Sequence, residues 1–186
     1  MNRLCLVGAL ACALMVAPAG ASTFLAVSGG ELVKGSDAVV VGEVLYTYSY
    51  WNPEGSMIFT DAVLHVQRSI LGEASGLVSV RTPGGQVADY KIEAHGFPAF
   101  RAGDRQVLYL HRTAEGLMEV TGFQQGQYRV VSRADGVEVA VPALKGVQLL
   151  TSSGALAPMP RAMTLEALEQ TIRSEATGLG RQPVVK

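Results

Sequence analysis

Two runs of β-prone residues separated by a single turn leave this chain few ways to fold. Asp37-Ala38-Val39-Val40-Val41-Gly42-Glu43-Val44-Leu45-Tyr46 is rich in β-branched residues and extends through Thr47-Tyr48-Ser49-Tyr50-Trp51. Asn52-Pro53-Glu54-Gly55 follows as a turn, with Pro fixing φ and Gly able to take φ > 0. The chain returns through Met57 to Val66. In the returning strand Ala62, Leu64 and Val66 are expected to face a core, and Asp61, Val63, His65 and Gln67 a wetter side. A hairpin this long and apolar is not stable alone and demands a sheet around it.

Further strands are expected at Leu77–Thr82, Gln106–His111, Leu117–Phe123 and Gln127–Val131, with a small hairpin at Asp135-Gly136. Pro83-Gly84-Gly85 breaks the pattern, and residues 86–103 read as irregular, with a short strand near Tyr90–Ala94 and a loop plug at Phe97-Pro98-Ala99-Phe100. Ser28-Gly29-Gly30-Glu31 has capping-box spacing and predicts a short helix that Gly35 closes as a C′ residue. Near the end, Thr164 can cap a helix from Leu165 to about Ala176, with Leu165, Leu168 and Ile172 as its apolar stripe and Gly178 ending it. Many short strands with glycine turns imply a mainly β fold. The order, three strands in a meander, an irregular crossover and then more strands, predicts a single OB-like or Greek-key β-barrel with a short N-terminal helix and a C-terminal helix. Barrel closure would also remove exposed strand edges.

The segment ahead of this domain carries Arg3, an apolar run from Leu4 to Ala17, Pro18 and then Ala19-Gly20-Ala21. That is the pattern of a secretory signal peptide with cleavage after Ala21. The apolar run is shorter than the roughly 20 residues a bilayer span needs. The expected divisions are therefore 1–21 signal peptide, 22–141 barrel domain with its short helix, and 142–186 linker, helix and flexible tail. Both cysteines, Cys5 and Cys12, fall in the first segment. The exported chain would have neither disulfide nor thiolate ligand, and its stability must come from its core. The 186-residue chain has 15 basic and 16 acidic residues. A balance so near neutral gives no reason to expect a nucleic-acid partner or, after cleavage, a membrane surface.

Asp37–Val44, Phe59-Thr60-Asp61, Leu71-Gly72, Thr82-Pro83-Gly84-Gly85, Phe100-Arg101-Ala102-Gly103-Asp104 and Gly126-Gln127-Tyr128-Arg129-Val130 together resemble a group of uncharacterised exported bacterial proteins, over about Leu32 to Val131. The resemblance implies export and carries no activity. In architecture alone, the opening strand is distantly similar to the OB-like domain of the netrin and tissue-inhibitor-of-metalloproteinase type. Those inhibitors use an N-terminal cysteine and disulfides, so their mechanism does not transfer.

Chemistry-bearing motifs are sparse. His65, His95 and His111 have no second ligand at metal-site spacing, so no metal or cofactor is implied. Ser36 lies between Gly35 and Asp37 but not in a G-x-S-x-G elbow. Glu43 and Asp61 fall on neighbouring strands, where pairing with Arg or facing solvent is the simpler expectation. Pro83-Gly84-Gly85 reads as a bulge more readily than as an anion cradle. No catalytic residue is assigned. The candidate ligand-binding residues are Tyr46, Tyr48 and Tyr50, spaced by two so that a regular strand puts them on one face, with Trp51 beside them. A row of this kind can stack on sugars or on peptide side chains. The sequence accordingly suggests an exported, non-catalytic binding module of the bacterial envelope, whose ligand is an envelope protein or a glycan. A periplasmic structural or assembly factor, and a small secreted hydrolase with an unrecognised site, are the alternatives.

Overall fold

A computed structural model describes residues 22–184. The expected signal peptide, with Cys5 and Cys12, lies outside the described residues. The elements run β1 (Ser22–Leu25), α1 (Gly29–Gly35), β2 (Ala38–Trp51), β3 (Ile58–Leu71), β4 (Gly76–Pro83), β5 (Gly85–Val87), β6 (Tyr90–Ile92), β7 (Arg105–Arg112) and β8 (Met118–Val120). After a 3₁₀ turn at Phe123–Gly126 come β9 (Gln127–Ser132), β10 (Glu138–Pro142), β11 (Val147–Leu150), β12 (Met163–Thr164) and α2 (Leu165–Gly178).

Five strands close a barrel in the order β7-β2-β3-β4-β8, with β8 returning to β7. Counted in chain order that is 1-2-3-5-4-1, with β4 and β8 the parallel pair, which is the OB arrangement the sequence suggests. Strands β9, β10 and β12 extend the sheet from the far side of β7. The hairpin of β2 and β3 turns at Asn52, whose Oδ1 accepts from the Ser56 and Met57 amides at 2.8 and 2.9 Å. Gly55 takes φ +67 there, as the turn requires.

Two cores share the barrel wall. Val40, Val44, Leu64, Val80, Leu108 and Leu110 fill the interior, and Phe100 packs against them from its loop. Val39, Val41, Val107, Tyr109 and Tyr128 face outward and are covered by Leu32 and Val33 of α1 and by Leu165, Leu168 and Ile172 of α2. The run Val39-Val40-Val41 is therefore apolar on both faces because both faces are covered. Each such fully buried side chain contributes about 1.5–3 kcal/mol of transfer free energy.

Helix α1 begins with the capping box expected of Ser28 and Glu31. It ends differently. Gly35 is the last helical residue, and Ser36 is the C-cap in extended conformation at φ −104. The carbonyls at this end are instead met from afar, because Arg181 Nη1 donates to Val33 O and Ser36 O, both at 2.6 Å. Thr164 caps α2 as expected, accepting from the Ala167 amide. Gly178 is the last helical residue, where the helix is expected to end, and Gly180 takes the positive φ, +69.

Residues 151–162 run as the exposed linker that their composition suggests, but 147–150 and 181–184 are more ordered than a linker and a frayed tail. Residues 147–150 form β11, parallel to β1. Val184 N–H donates to Ile70 O at 3.0 Å, which lays the chain back on the barrel. A second correction concerns β3, where Asp61 and Val63 are buried rather than wet. A third is that the irregular stretch opens with a small hairpin, β5 against β6.

One packing contact costs stability. Glu175 of α2 presses against Gly29, where a Cβ would lie only 2.5 Å from Oε1. Among the described residues its buried Oε2 has no hydrogen-bond partner, and burial pushes the carboxyl above the ordinary range. A raised pKa means the group favours the fold while protonated and loses that contribution as pH rises through the raised value. Glu175→Gln should therefore stabilise the protein at pH 7 by roughly 1 kcal/mol, and the gain should close as pH falls toward the acid range. Urea unfolding at both pH values checks this. Equal stability at pH 7 would mean the carboxylate is adequately solvated.

Candidate functional site

The placement of the tyrosines depends on one residue. Strands β2 and β3 pair Val44 with Leu64 and then Tyr46 with Val63, so Leu45 is an unmatched bulge. Before the bulge, even-numbered residues point into the barrel, as Val40 and Val44 do. After it they point out. Tyr46, Tyr48 and Tyr50 thus lie on the outer face, beyond the part that α1 and α2 cover. Tyr46 is 53% exposed and Tyr48 49%.

The three rings form a ladder. Tyr46 and Tyr48 centroids are 6.5 Å apart, and Tyr48 and Tyr50 stack at 5.7 Å with an interplanar angle of 29°. Cross-strand rows carry the ladder over the sheet. Tyr50 lies opposite Phe59 and then Pro83, Tyr48 opposite Asp61 and then Arg81, and Tyr46 opposite Val63 and then Ser79.

Asp61 is the polar centre. Arg81 grips it bidentately, Nε to Oδ1 at 2.8 Å and Nη2 to Oδ2 at 3.0 Å. The Tyr48 and Tyr50 hydroxyls both donate to Oδ2, at 3.2 and 3.1 Å. Burial pushes the Asp61 carboxyl upward, but the hydrogen bonds and charge of Arg81, with the two hydroxyls, outweigh it and hold the group below its ordinary range. Burial first, and then the Asp61 carboxylate, raise Tyr50 to about 12. The negative charge of Asp61, more than burial, raises Tyr48 as well. The Arg81 guanidinium also sits 5.4 Å from the Tyr50 centroid and 5.8 Å from that of Phe59. A cleft of about 290 Å³ opens beside Asp61 and Arg81, walled by Leu77, Ser79, Arg112 and Met118.

Trp51 does not join the ladder. It falls on the opposite face, packed edge-on against Tyr90 of β6 at 5.7 Å and 73°. An Arg partner is one of the two expectations for Asp61 from its strand position, but neither its identity as Arg81 nor its place in the tyrosine row is legible from spacing alone. Their pairing at Asp61↔Arg81 follows once the β3–β4 register is known.

The other motifs take structural duties. Ser36 Oγ donates to Leu32 O at 2.7 Å and bonds Thr121 Oγ1 at 3.0 Å. Gly84 N–H is spent on Ile58 O at 2.8 Å, and Gly84 and Gly85, at φ +90 and +137, make the bend that joins β4 to β5. His65 and His95 are exposed on separate elements, and His111 lies 4.0 Å from Glu119. Among the described residues, no group of three or more His, Cys, Asp or Glu side chains is placed to hold a metal ion. Glu43 meets Gln67 at 3.4 Å.

No family model, curated protein or solved structure matches this chain.

Because Asp61 is held below its ordinary range, its contribution to stability is present above the unfolded carboxylate pKa and is lost as pH falls through the lower folded value. Arg81→Met should cost about 1–3 kcal/mol at pH 7, less than a wholly buried pair because Arg81 is partly exposed. It should also shift the Asp61 carboxyl upward in an NMR titration. In wild type, one tyrosine should ionise near pH 12 by ultraviolet absorbance, and Asp61→Asn should lower that value. An unchanged tyrosine titration in Asp61→Asn would contradict the assigned network.

Proposed function

We propose that this protein is an exported, non-catalytic binding module of the bacterial envelope that recognises another macromolecule through the tyrosine face of its hairpin. The observation that carries the reading is the exposure of Tyr46 and Tyr48 in a stack in which Asp61 holds the Tyr48 and Tyr50 hydroxyls. Half-exposed aromatics tied down in advance bind with little loss of side-chain freedom. The export part of the reading rests on residues 1–21 and on the resemblance to exported bacterial proteins.

Of the two ligand classes, the geometry favours a protein over a glycan. A sugar ring stacks on an open aromatic face. Here Tyr48 lies between its neighbours, and Tyr50 lies between Tyr48 and the Arg81 guanidinium. The outer face of Tyr46 alone is free of the ladder. The Tyr48 and Tyr50 hydroxyls, which would otherwise bind sugar hydroxyls, are already bonded to Asp61. What the surface offers is ring edges and an apolar margin, which suit peptide side chains.

The test is capture from the native envelope fraction with wild type and with a Tyr46→Ala, Tyr48→Ala, Tyr50→Ala variant, each checked by circular dichroism. A specific partner should be retained by wild type and weakened at least roughly ten-fold in the folded variant, about 1.4 kcal/mol. Equal retention by both proteins would remove the ladder as the recognition surface.

A further inference from the structure

Among the described residues, the second edge of β2 beyond Val44 has no strand against it. β7 pairs with β2 only from Ala38 to Glu43. Val44 closes that side, donating to Asp104 O at 3.0 Å and accepting from Gly103 N–H at 2.8 Å. At the far end Asn52 N–H donates to Met57 O at 2.8 Å, so the even-numbered positions after the bulge turn their backbone groups toward β3. Strand alternation then aims the N–H and C=O of Thr47, Ser49 and Trp51 at the open edge. Among the described residues, no hydrogen bond from outside the β2–β3 ladder reaches them.

This edge lacks the usual protection. Leu45-Tyr46-Thr47-Tyr48-Ser49-Tyr50-Trp51 contains no charge, no proline and no glycine, and every residue after Leu45 is β-branched, aromatic or serine. Long, uncharged, β-prone edges pair with other chains unless something blocks them. Barrel closure pairs the first part of β2 with β7 but stops short of these seven residues.

We propose that the edge pairs with the same edge of a second copy of this chain, antiparallel about a two-fold axis at Ser49. The stretch is complementary to itself. In that register Ser49 meets Ser49 of the partner subunit, Thr47 meets Trp51 of the partner subunit, and the three donors and three acceptors on each side are all matched. No charge lies within the paired stretch to repel its symmetry mate. An axis perpendicular to the sheet keeps both outer faces on one side, so Tyr48 comes to lie beside the partner subunit's Tyr50. Two three-ring ladders become one face. The inference rests on the binding reading for what that face does, because the second copy supplies half of it. The paired edge is much smaller than the roughly 20–30 residues per side of a standard interface, so the dimer is concentration-dependent, with a Kd on the order of micromolar.

Sedimentation velocity of the purified protein from about 1 to 200 µM tests this, a range that brackets such a Kd. Wild type should pass from monomer to dimer across the range. Thr47→Pro removes a donor that points at the open edge and leaves the β2–β3 ladder intact. It should stay folded and self-associate at least roughly ten-fold more weakly. If Thr47→Pro does not fold, Thr47→Lys places a charge on the same edge and is read the same way. A wild type that remains monomeric at the highest concentration, including one that binds a foreign extended peptide instead, overturns the proposal. So does a folded edge variant that dimerises like wild type. The two readings fail separately. A dimer that captures no envelope partner defeats the binding reading alone, and a monomer that still captures one through its tyrosines defeats the edge pairing alone.

Discussion

Between Val44 and Tyr46, strand β2 carries one residue more than β3 can match, and the polarity of the whole outer hairpin turns on that extra residue. A strand has a side-chain period of two, so a single insertion exchanges its faces. Without Leu45, the register that buries Val40 and Val44 would drive Tyr46, Tyr48 and Tyr50 inward over the barrel mouth. With it, small polar residues turn inward instead. Ser49 and Thr60 bond there at 2.8 Å, under Gly85, whose missing Cβ would lie 2.3 Å from Thr60 Oγ1 and 2.5 Å from Ser49 Oγ. The bulge, the Ser49–Thr60 pair and the glycine form one solution to the same steric problem. Together they let the β5–β6 hairpin close over the inner face while the tyrosines stay outside.

Turning the tyrosines outward creates a second requirement. Their hydroxyls lie over the centre of a sheet, and Asp61 answers from the facing strand. A carboxylate buried there would be costly alone. Arg81, one strand further on, offsets that cost with two hydrogen bonds and a full charge. The result is a row across three strands, Tyr48–Asp61–Arg81, that fixes ring rotamers and strand register together. Phe59 and Tyr50 shield the guanidinium from one side, which strengthens the pair by keeping water from it. Removing any member therefore affects the others, so their energies are not additive.

Much of this architecture is legible in the residues. Ser28 and Glu31 announce the capping box, Asn52-Pro53-Glu54-Gly55 the hairpin turn, and Thr164 with Leu165, Leu168 and Ile172 the last helix, because each is a local signal acting over a few residues. A single barrel follows from the strand order and the irregular crossover, although which five strands close it does not. What stays hidden is non-local. The burial of Asp61 depends on Arg81, twenty positions on, and alternation alone assigns it to water. β11 is a four-residue strand whose parallel partner is the distant β1, and no turn or period marks such a pairing. Arg181 reads as tail until the open carbonyls of α1 are placed beside it. Trp51 looks like a neighbour of the tyrosines because adjacency in sequence hides the alternation of faces. The spacing of the tyrosines by two was visible, but which side they face was not, since nothing in Leu45 itself declares a bulge.

The same bulge also bears on the open edge. A closed barrel leaves no edge only where each strand is paired over its full length, and β2 outruns β7 by the seven residues that follow Val44. A shorter hairpin would have ended at the barrel rim and needed no protection. The extra length therefore serves something other than closure. It provides the platform on which the three tyrosines stand, and the same residues that carry their rings carry the unpaired backbone groups of Thr47, Ser49 and Trp51. Rings and edge cannot be changed independently. A charge or proline that silenced the edge would sit within the ladder's own strand, and a shorter strand would lose the ladder. An extension so built displays aromatic side chains and unpaired main-chain groups together, and the proposed recognition of a polypeptide would use both.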